Sequence, residues 1–300
     1  MIDLSTLYHY TNSQGLLGII DKKSNRVVLW FTNYKYLNDS SEGLELQRIY
    51  KITIEKMYKE GNLSKEEFDD IVDVNFDDKH MYAYATMENE KPVTKLIEKE
   101  DVAFVCCFSK NKDSLNMWRY YTNNEIGFGI GFNDIILKKE TSIDTFSSTE
   151  TRIGEFEWID VIYNDKEKIH IVQEIILRVK QEQKNYGSFY DFKDMIYSHL
   201  KKYKFSFKHQ CFMSEEEVRC VLTIPRDNQG FSGKRPFEVL YRCRNGNITP
   251  YIAVFFSKKV LYSVRISPTA PSETQETINY YLSTYSPKVI VEKSQLPIRF

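Results

Sequence analysis

The residues best suited to chemistry in this chain lie in Ser214-Glu215-Glu216-Glu217-Val218-Arg219. On a strand, Glu215 and Glu217 project from one face, and Glu216 and Arg219 take definite sides relative to them. Two carboxylates on one face repel. The pair is therefore expected to raise at least one pKa and to invite a cation, a hydroxyl-rich ligand or an arginine partner. A plain acidic strand end in water is the competing reading. His9-Tyr10-Thr11 closes a short β-prone stretch. There a histidine suits a ribose hydroxyl or a phosphate, or is satisfied by nearby backbone. Asn38-Asp39-Ser40 either caps the helix that follows or touches a ligand. Ser114 precedes Trp118 and Tyr121, which lie three residues apart and share a helical face. They serve as core anchors or as a stacking wall for a base or nicotinamide ring. Gly127, Gly129 and Gly131 form no phosphate loop, because no Lys-Ser/Thr follows them; they permit close backbone approach. Cys211 and Cys220 near His209 lack the spacing of a zinc site, so no metal is expected.

These residues need elements to hold them. Residues 6–10 read as a strand, followed by a helix whose apolar face is Leu16, Leu17, Ile19 and Ile20, and then by a strand at 27–31. Residues 41–92 look like a helical insertion in which Ser64 and Glu67 make a capping box. Residues 102–108 are too apolar for solvent on either face and belong in the middle of a sheet. An amphipathic segment at 113–121, the Gly-spaced strand at 127–132 and a strand at 156–163 lead to a second helical insertion, 165–202, broken near Gly187-Ser188. Period-two patterning then marks strands at 217–224, 236–243, 249–256 and 260–266, a helix at 272–283 and a last strand at 288–291. Strands cluster in runs and no Gly/Ser/Pro linker divides the chain. The expected architecture is therefore a single α+β domain over residues 1–300, its sheet mixed or antiparallel.

Of the 300 residues, 42% are apolar, and they include 21 Tyr, 19 Phe and 3 Trp, enough bulky surface to offset the entropy of ordering. No apolar run approaches the ~18 residues of a membrane span, no secretory leader is visible, and the five cysteines follow no framework, so a cytoplasmic protein without a membrane partner is expected. The net charge of −1 hides an asymmetry. Residues 199–300 hold sixteen Lys and Arg against eight Asp and Glu, a net of +8, which leaves −9 for the first 198. Such a field attracts polyanions. Lys201-Lys202-Tyr203-Lys204-Phe205-Ser206-Phe207-Lys208 interleaves cations with aromatics, either as a single-strand nucleic-acid platform or as a half-buried strand with lysines on its wet face.

Together these segments resemble an AbiGi-like prokaryotic family, a domain of unknown function linked to abortive infection against phage. The residues that carry the resemblance are Leu7-Tyr8-His9-Tyr10-Thr11, Leu29-Trp30-Phe31-Thr32-Asn33, Tyr36-Leu37-Asn38-Asp39 with Glu42, Ser114 with Met117-Trp118-Arg119 and Tyr121, residues 127–132, Glu215 and Glu217 with Arg219, Pro250-Tyr251-Ile252, Val264-Arg265-Ile266-Ser267-Pro268 and the segment 294–299. A weaker likeness is to ADP-ribosyltransferases of the DarT type and to RNA 2′-phosphotransferases, which open on a strand ending in His and place a catalytic Glu on a late strand.

That likeness implies an ADP-ribosyltransferase-like split sheet with NAD as substrate. His9 would touch the adenosine-side ribose, Tyr121 or Trp118 would flank nicotinamide, and Glu217 or Glu215 would hold the ribose 2′-OH. Tyr10, Thr11, Asn38, Asp39, Ser114 and Arg219 would complete the binding set, with Arg119, Arg219 and Arg265 as candidates for the pyrophosphate. The implied function is that of a phage-defence or toxin-type effector that consumes NAD, with a nucleic-acid or protein acceptor and an antitoxin as partners. The alternatives are a non-enzymatic nucleic-acid-binding or regulatory protein that uses the basic C-terminal third, and a nuclease.

Overall fold

The computed structural model describes residues 5–37, 43–76, 79–88, 91–122, 125–142, 154–186, 191–225, 237–244 and 246–297. The chain opens with β1 (Thr6–Asn12), α1 (Ser13–Ile19), β2 (Ile20–Asp21) and β3 (Arg26–Asn33). The Asn12 side chain caps α1 by accepting from the Gly15 N–H at 3.0 Å. Helices α2 (Glu45–Lys59) and α3 (Lys65–Ile71) follow, and the Ser64/Glu67 capping box starts α3 as its spacing predicts. Next come β4 (Lys79–Glu88), the long β5 (Lys91–Ser109), α4 (Leu115–Tyr121), β6 (Gly127–Asn133), α5 (Asp134–Thr141) and β7 (Glu155–Asp160). The last third holds α6 (Asp165–Tyr186), α7 (Phe192–Leu200), β8 (Glu217–Pro225), β9 (Leu240–Arg244), β10 (Asn247–Phe256), β11 (Leu261–Ile266), α8 (Glu273–Ser283) and β12 (Ile290–Lys293).

The architecture is mixed α+β around an open, largely antiparallel sheet in the order β12-β11-β6-β1-β5-β3-β10-β9, with β8 and β7 joined to β5 off that path. Among these named strands only β11 and β12 pair in parallel. The register explains the site. On one edge β5 pairs with β8 from Asp101↔Pro225 to Ser109↔Glu217. On the other edge β3 meets it only at Phe104 and Val105, and β1 only at Ser109. The two neighbours thus diverge and leave a fork over Cys106 and Cys107. Within β5, Phe104, Cys106 and Phe108 enter the main core while Ala103 and Val105 enter a smaller one on the opposite face, which is why this segment is apolar at both parities.

A second apolar cluster joins α2, α6 and α7 through residues such as Ile49, Ile54, Val172, Ile176 and Ile196, and it reaches Phe207 beside the site. In β6, a Cβ on Gly127 would stand 2.2 Å from Thr122 Cγ2, and one on Gly131 would stand 2.3 Å from Ser263 Oγ, so two of the three glycines do serve close approach.

Two expectations are corrected. Residues 79–88, read as part of a helical insertion, are a strand, in line with the period-two run Met81-Tyr82-Ala83-Tyr84-Ala85-Thr86. Residues 201–208 are neither a wet-faced strand nor the end of the long helix. They form a 3-10 turn over Lys201–Phe205 and then an isolated bridge from Phe207 to Ile162. Lys204 and Lys208 are buried there, so the alternating lysines do not line one exposed face. No helix among the described residues is long and apolar enough to cross a membrane.

Candidate functional site

A cavity of about 470 Å³ opens over the fork, lined by parts of β1, β3, β5, α4, β8 and β9. Its carboxylate wall comes from Glu215 and Glu217, both buried. These two do not lie on one continuous strand. Glu215 ends a 3-10 turn over Gln210–Glu215, Glu216 is left-handed at φ 43° and ψ 50°, and Glu217 starts β8. The turn is fastened by the Ser109 hydroxyl, which donates to the Glu215 carbonyl at 2.6 Å, and by the Lys110 N–H on the Glu216 carbonyl at 2.9 Å.

Lys208 bridges the two carboxylates, 2.5 Å from Glu215 Oε2 and 2.8 Å from Glu217 Oε2. Arg219 donates to both oxygens of Glu217 at 3.0 Å, and the Tyr121 hydroxyl donates to Glu215 Oε1 at 2.8 Å. The electrostatic consequence differs from the simple repulsion argument. Burial pushes the Glu217 carboxyl up, but Arg219 and then Lys208 hold it down at about 2. Burial alone would depress Lys208, and Glu217 and Glu215 keep it above the usual lysine range. The Tyr121 hydroxyl is pushed far up by burial and then by Glu215, so it stays a donor. Cys107, raised by burial and by Glu217, stays a thiol.

His9 occupies the mouth of the fork, where its Nδ1 lies 2.8 Å from the Cys107 carbonyl. A carbonyl oxygen only accepts, so Nδ1 carries the proton. Burial and, more weakly, Arg242 and Arg244 lower the ring's pKa despite that hydrogen bond. The ring is neutral at pH 7, and Nε2 presents a lone pair.

The cationic wall comes from Arg242 and Arg244, two apart on β9 and both lining the cavity. The Arg242 guanidinium sits 4.8 Å from the Trp30 ring centroid and 5.3 Å from that of Tyr251, and it donates to Thr32 Oγ1 at 2.9 Å. Among the described residues its Nε is buried without a hydrogen-bond partner. Strands β8 and β9 stand four places apart through β5, β3 and β10, so the carboxylates and arginines reach one cavity from distant parts of the sheet.

Of the residues singled out from sequence, His9, Tyr10, Thr11, Tyr121, Glu215 and Glu217 line the cavity. Ser114 and Trp118 do not. Trp118 is buried edge-on against Tyr10 with its indole N–H on Asp113 Oδ1 at 2.8 Å, and the Ser114 N–H donates to the Tyr10 hydroxyl. Arg219 lies beneath the carboxylates with no exposed surface, committed to Glu217 and to the Phe205 carbonyl at 2.9 Å, so it is a support and not a cavity-lining group. Arg265 pairs with Asp113 and Glu292, away from the cavity lining, and Arg119 is exposed. Asn38 and Asp39 lie outside the described residues.

Sequence reasoning missed Lys208, Arg242, Arg244 and Trp30 as site residues. The period-two arginines of Leu240-Tyr241-Arg242-Cys243-Arg244 were a usable signal. Lys208 had none, because its partners come from a later turn. Among the described residues no three His, Cys, Asp or Glu side chains gather as a metal site.

Residues 117–220 match the model of a family described as a protein of unknown function, DUF2971. The matched segment carries Tyr121, Lys208, Glu215, Glu217 and Arg219, while His9, Arg242 and Arg244 lie outside it. No curated protein and no solved structure matches the chain.

Proposed function

We propose that this cavity takes NAD as a substrate, as an ADP-ribosyltransferase or NAD glycohydrolase, in the phage-defence or toxin-type setting that the AbiGi-like resemblance suggests. One observation carries the reading: a buried carboxylate pair, with Glu217 held ionised, and two arginines line a single cavity over a fork in the sheet. A dinucleotide with an anionic pyrophosphate and a cationic nicotinamide ribose matches that polarity.

Arg242 and Arg244 hold the pyrophosphate by charge-assisted bonds from the guanidinium groups that line the cavity. The nicotinamide ribose lies at the other wall, where Glu215 accepts from its 2′-OH and Tyr121 flanks the ring. The bond from ribose C1′ to the nicotinamide nitrogen breaks, and its electron pair leaves with neutral nicotinamide. The positive charge that develops on the ribose is stabilised by the fixed carboxylates. Water, or a nucleic-acid or protein acceptor entering past the exposed Tyr120, attacks C1′ and gives its proton to Glu215 and then to solvent.

Support for binding to nucleic acid through the Lys201–Lys208 stripe is weaker, because Lys204 and Lys208 are buried. Calorimetric titration with ADP-ribose tests the cavity directly. Wild type is expected to bind, and Arg242→Gln to bind about tenfold or more weakly, as loss of a charged hydrogen-bond donor implies. No binding by wild type, or an unchanged affinity in the variant, overturns the assignment.

A further inference from the structure

The ammonium of Lys168 has no solvent exposure, and it sits in the first turn of α6 on the helical layer, outside the cavity. Its three protons have three partners: Glu45 Oε1 on α2 at 2.8 Å, Asp165 Oδ1 at 3.1 Å and the Lys208 carbonyl at 2.6 Å. An apolar side chain of similar length would fill the same space at less desolvation cost, so packing alone does not account for a buried cation here. The carbonyl it holds does. Residues 206–208 meet Ile162 only through an isolated bridge, with the Ile162 N–H on the Ser206 carbonyl at 2.7 Å and the Lys208 N–H on the Ile162 carbonyl at 3.2 Å. Lys168 supplies the fastening on the other side of the Lys208 peptide. The Lys208 side chain then runs from that pinned backbone to both Glu215 and Glu217.

We propose that Lys168 is a positioning residue for the cavity, which through the Lys208 backbone sets where the bridging ammonium meets Glu215 and Glu217. As a step in catalysis this rests on the NAD-consuming reading; as a determinant of the carboxylate geometry it stands without it. The line Glu45–Lys168–Lys208–Glu215/Glu217 makes the α2/α6 layer part of the site although neither helix lines the cavity.

The test compares Lys168→Met with wild type and with Asp165→Asn, which leaves the Lys168–Lys208 bond in place. Each is checked for cooperative unfolding, for nicotinamide release from NAD, and for the titration of Glu217 by carbon-13 NMR of its carboxyl. Lys168→Met is expected to stay folded, to lose about tenfold or more in kcat with KM for NAD within about twofold, and to titrate Glu217 at higher pH than wild type. Asp165→Asn is expected to match wild type in both readouts. Lys168→Gln, which keeps a donor but falls short of the carbonyl, replaces Lys168→Met if that variant does not fold. A folded Lys168 variant with an unchanged Glu217 titration overturns the proposal, and a shifted titration with unchanged kcat overturns its catalytic part. If wild type releases no nicotinamide, the NAD reading falls and the titration still decides the positioning role.

Discussion

Glu217→Gln should be a severe stability change before it is a change in chemistry. Glu217 accepts two bonds from Arg219 at 3.0 Å and one from Lys208 at 2.8 Å, and Arg219 has no exposed surface. A glutamine keeps one acceptor oxygen but turns its NH2 toward either Arg219 Nε or the pair Arg219 Nη2 and Lys208 Nζ, so donors face donors and a buried guanidinium loses its counter-charge. Removing one partner of a buried pair costs about 3–5 kcal/mol. The same pairing expressed as linkage gives a similar figure: a carboxyl held at about 2 in the fold against an ordinary 4.5 contributes about 3 kcal/mol at neutral pH. Because the folded value is the lower one, that stability is present above the ordinary pKa and is lost as pH falls from about 5 toward 2. Urea unfolding of wild type and Glu217→Gln at several pH values measures both quantities. The variant should lose about 3 kcal/mol at pH 7 and show a flatter acid limb, so that the two proteins converge near pH 2. A loss under about 0.5 kcal/mol at pH 7, or parallel acid limbs, would refute the reasoning.

Glu216→Gly should stabilise the protein by about 0.5 kcal/mol, because a left-handed non-glycine residue costs about 1–2 kcal/mol and glycine's extra unfolded-state entropy returns part of that gain; a drop in the urea midpoint would contradict it. Of the five cysteines, Cys211 and Cys243 are exposed and should react promptly with a disulfide reagent at pH 8, Cys107, half-buried in the cavity with its thiol kept protonated by burial and Glu217, should react slowly, and the buried Cys106 and Cys220 react only on unfolding. Rapid titration of a third thiol in the native protein would contradict a Cys107 thiol held protonated.

What was legible in the sequence depended on whether a residue's partners were local. The Ser64/Glu67 box, the apolar β5 segment at 102–108 and the period-two strands after Glu217 all declared themselves, since caps and alternation are short-range signals. The pairing of Glu215 with Glu217 was also visible, although its cause was not: the two share Lys208 through a 3-10 turn and a left-handed Glu216, not through one strand face. The fork was invisible because it depends on where β1 and β3 leave β5, a long-range register. For the same reason Lys208 looked like a wet lysine and Arg219 like a ligand residue, when burial commits Lys208 to Glu215 and Glu217 and Arg219 to Glu217. Trp118 and Tyr121 share a helical face, yet only Tyr121 reaches the cavity, because Asp113 and Tyr10 hold Trp118 in the core.

The most direct test of the account is release of free nicotinamide from NAD by the purified protein, with wild type and Glu215→Gln side by side, with and without RNA or DNA. Glu215→Gln is the sharper probe of chemistry because Arg219 keeps its bidentate partner in Glu217. The account predicts release by wild type and a loss of about a hundredfold in the variant at unchanged fold. Absence of release by wild type under every condition, or equal release by the variant, would contradict it.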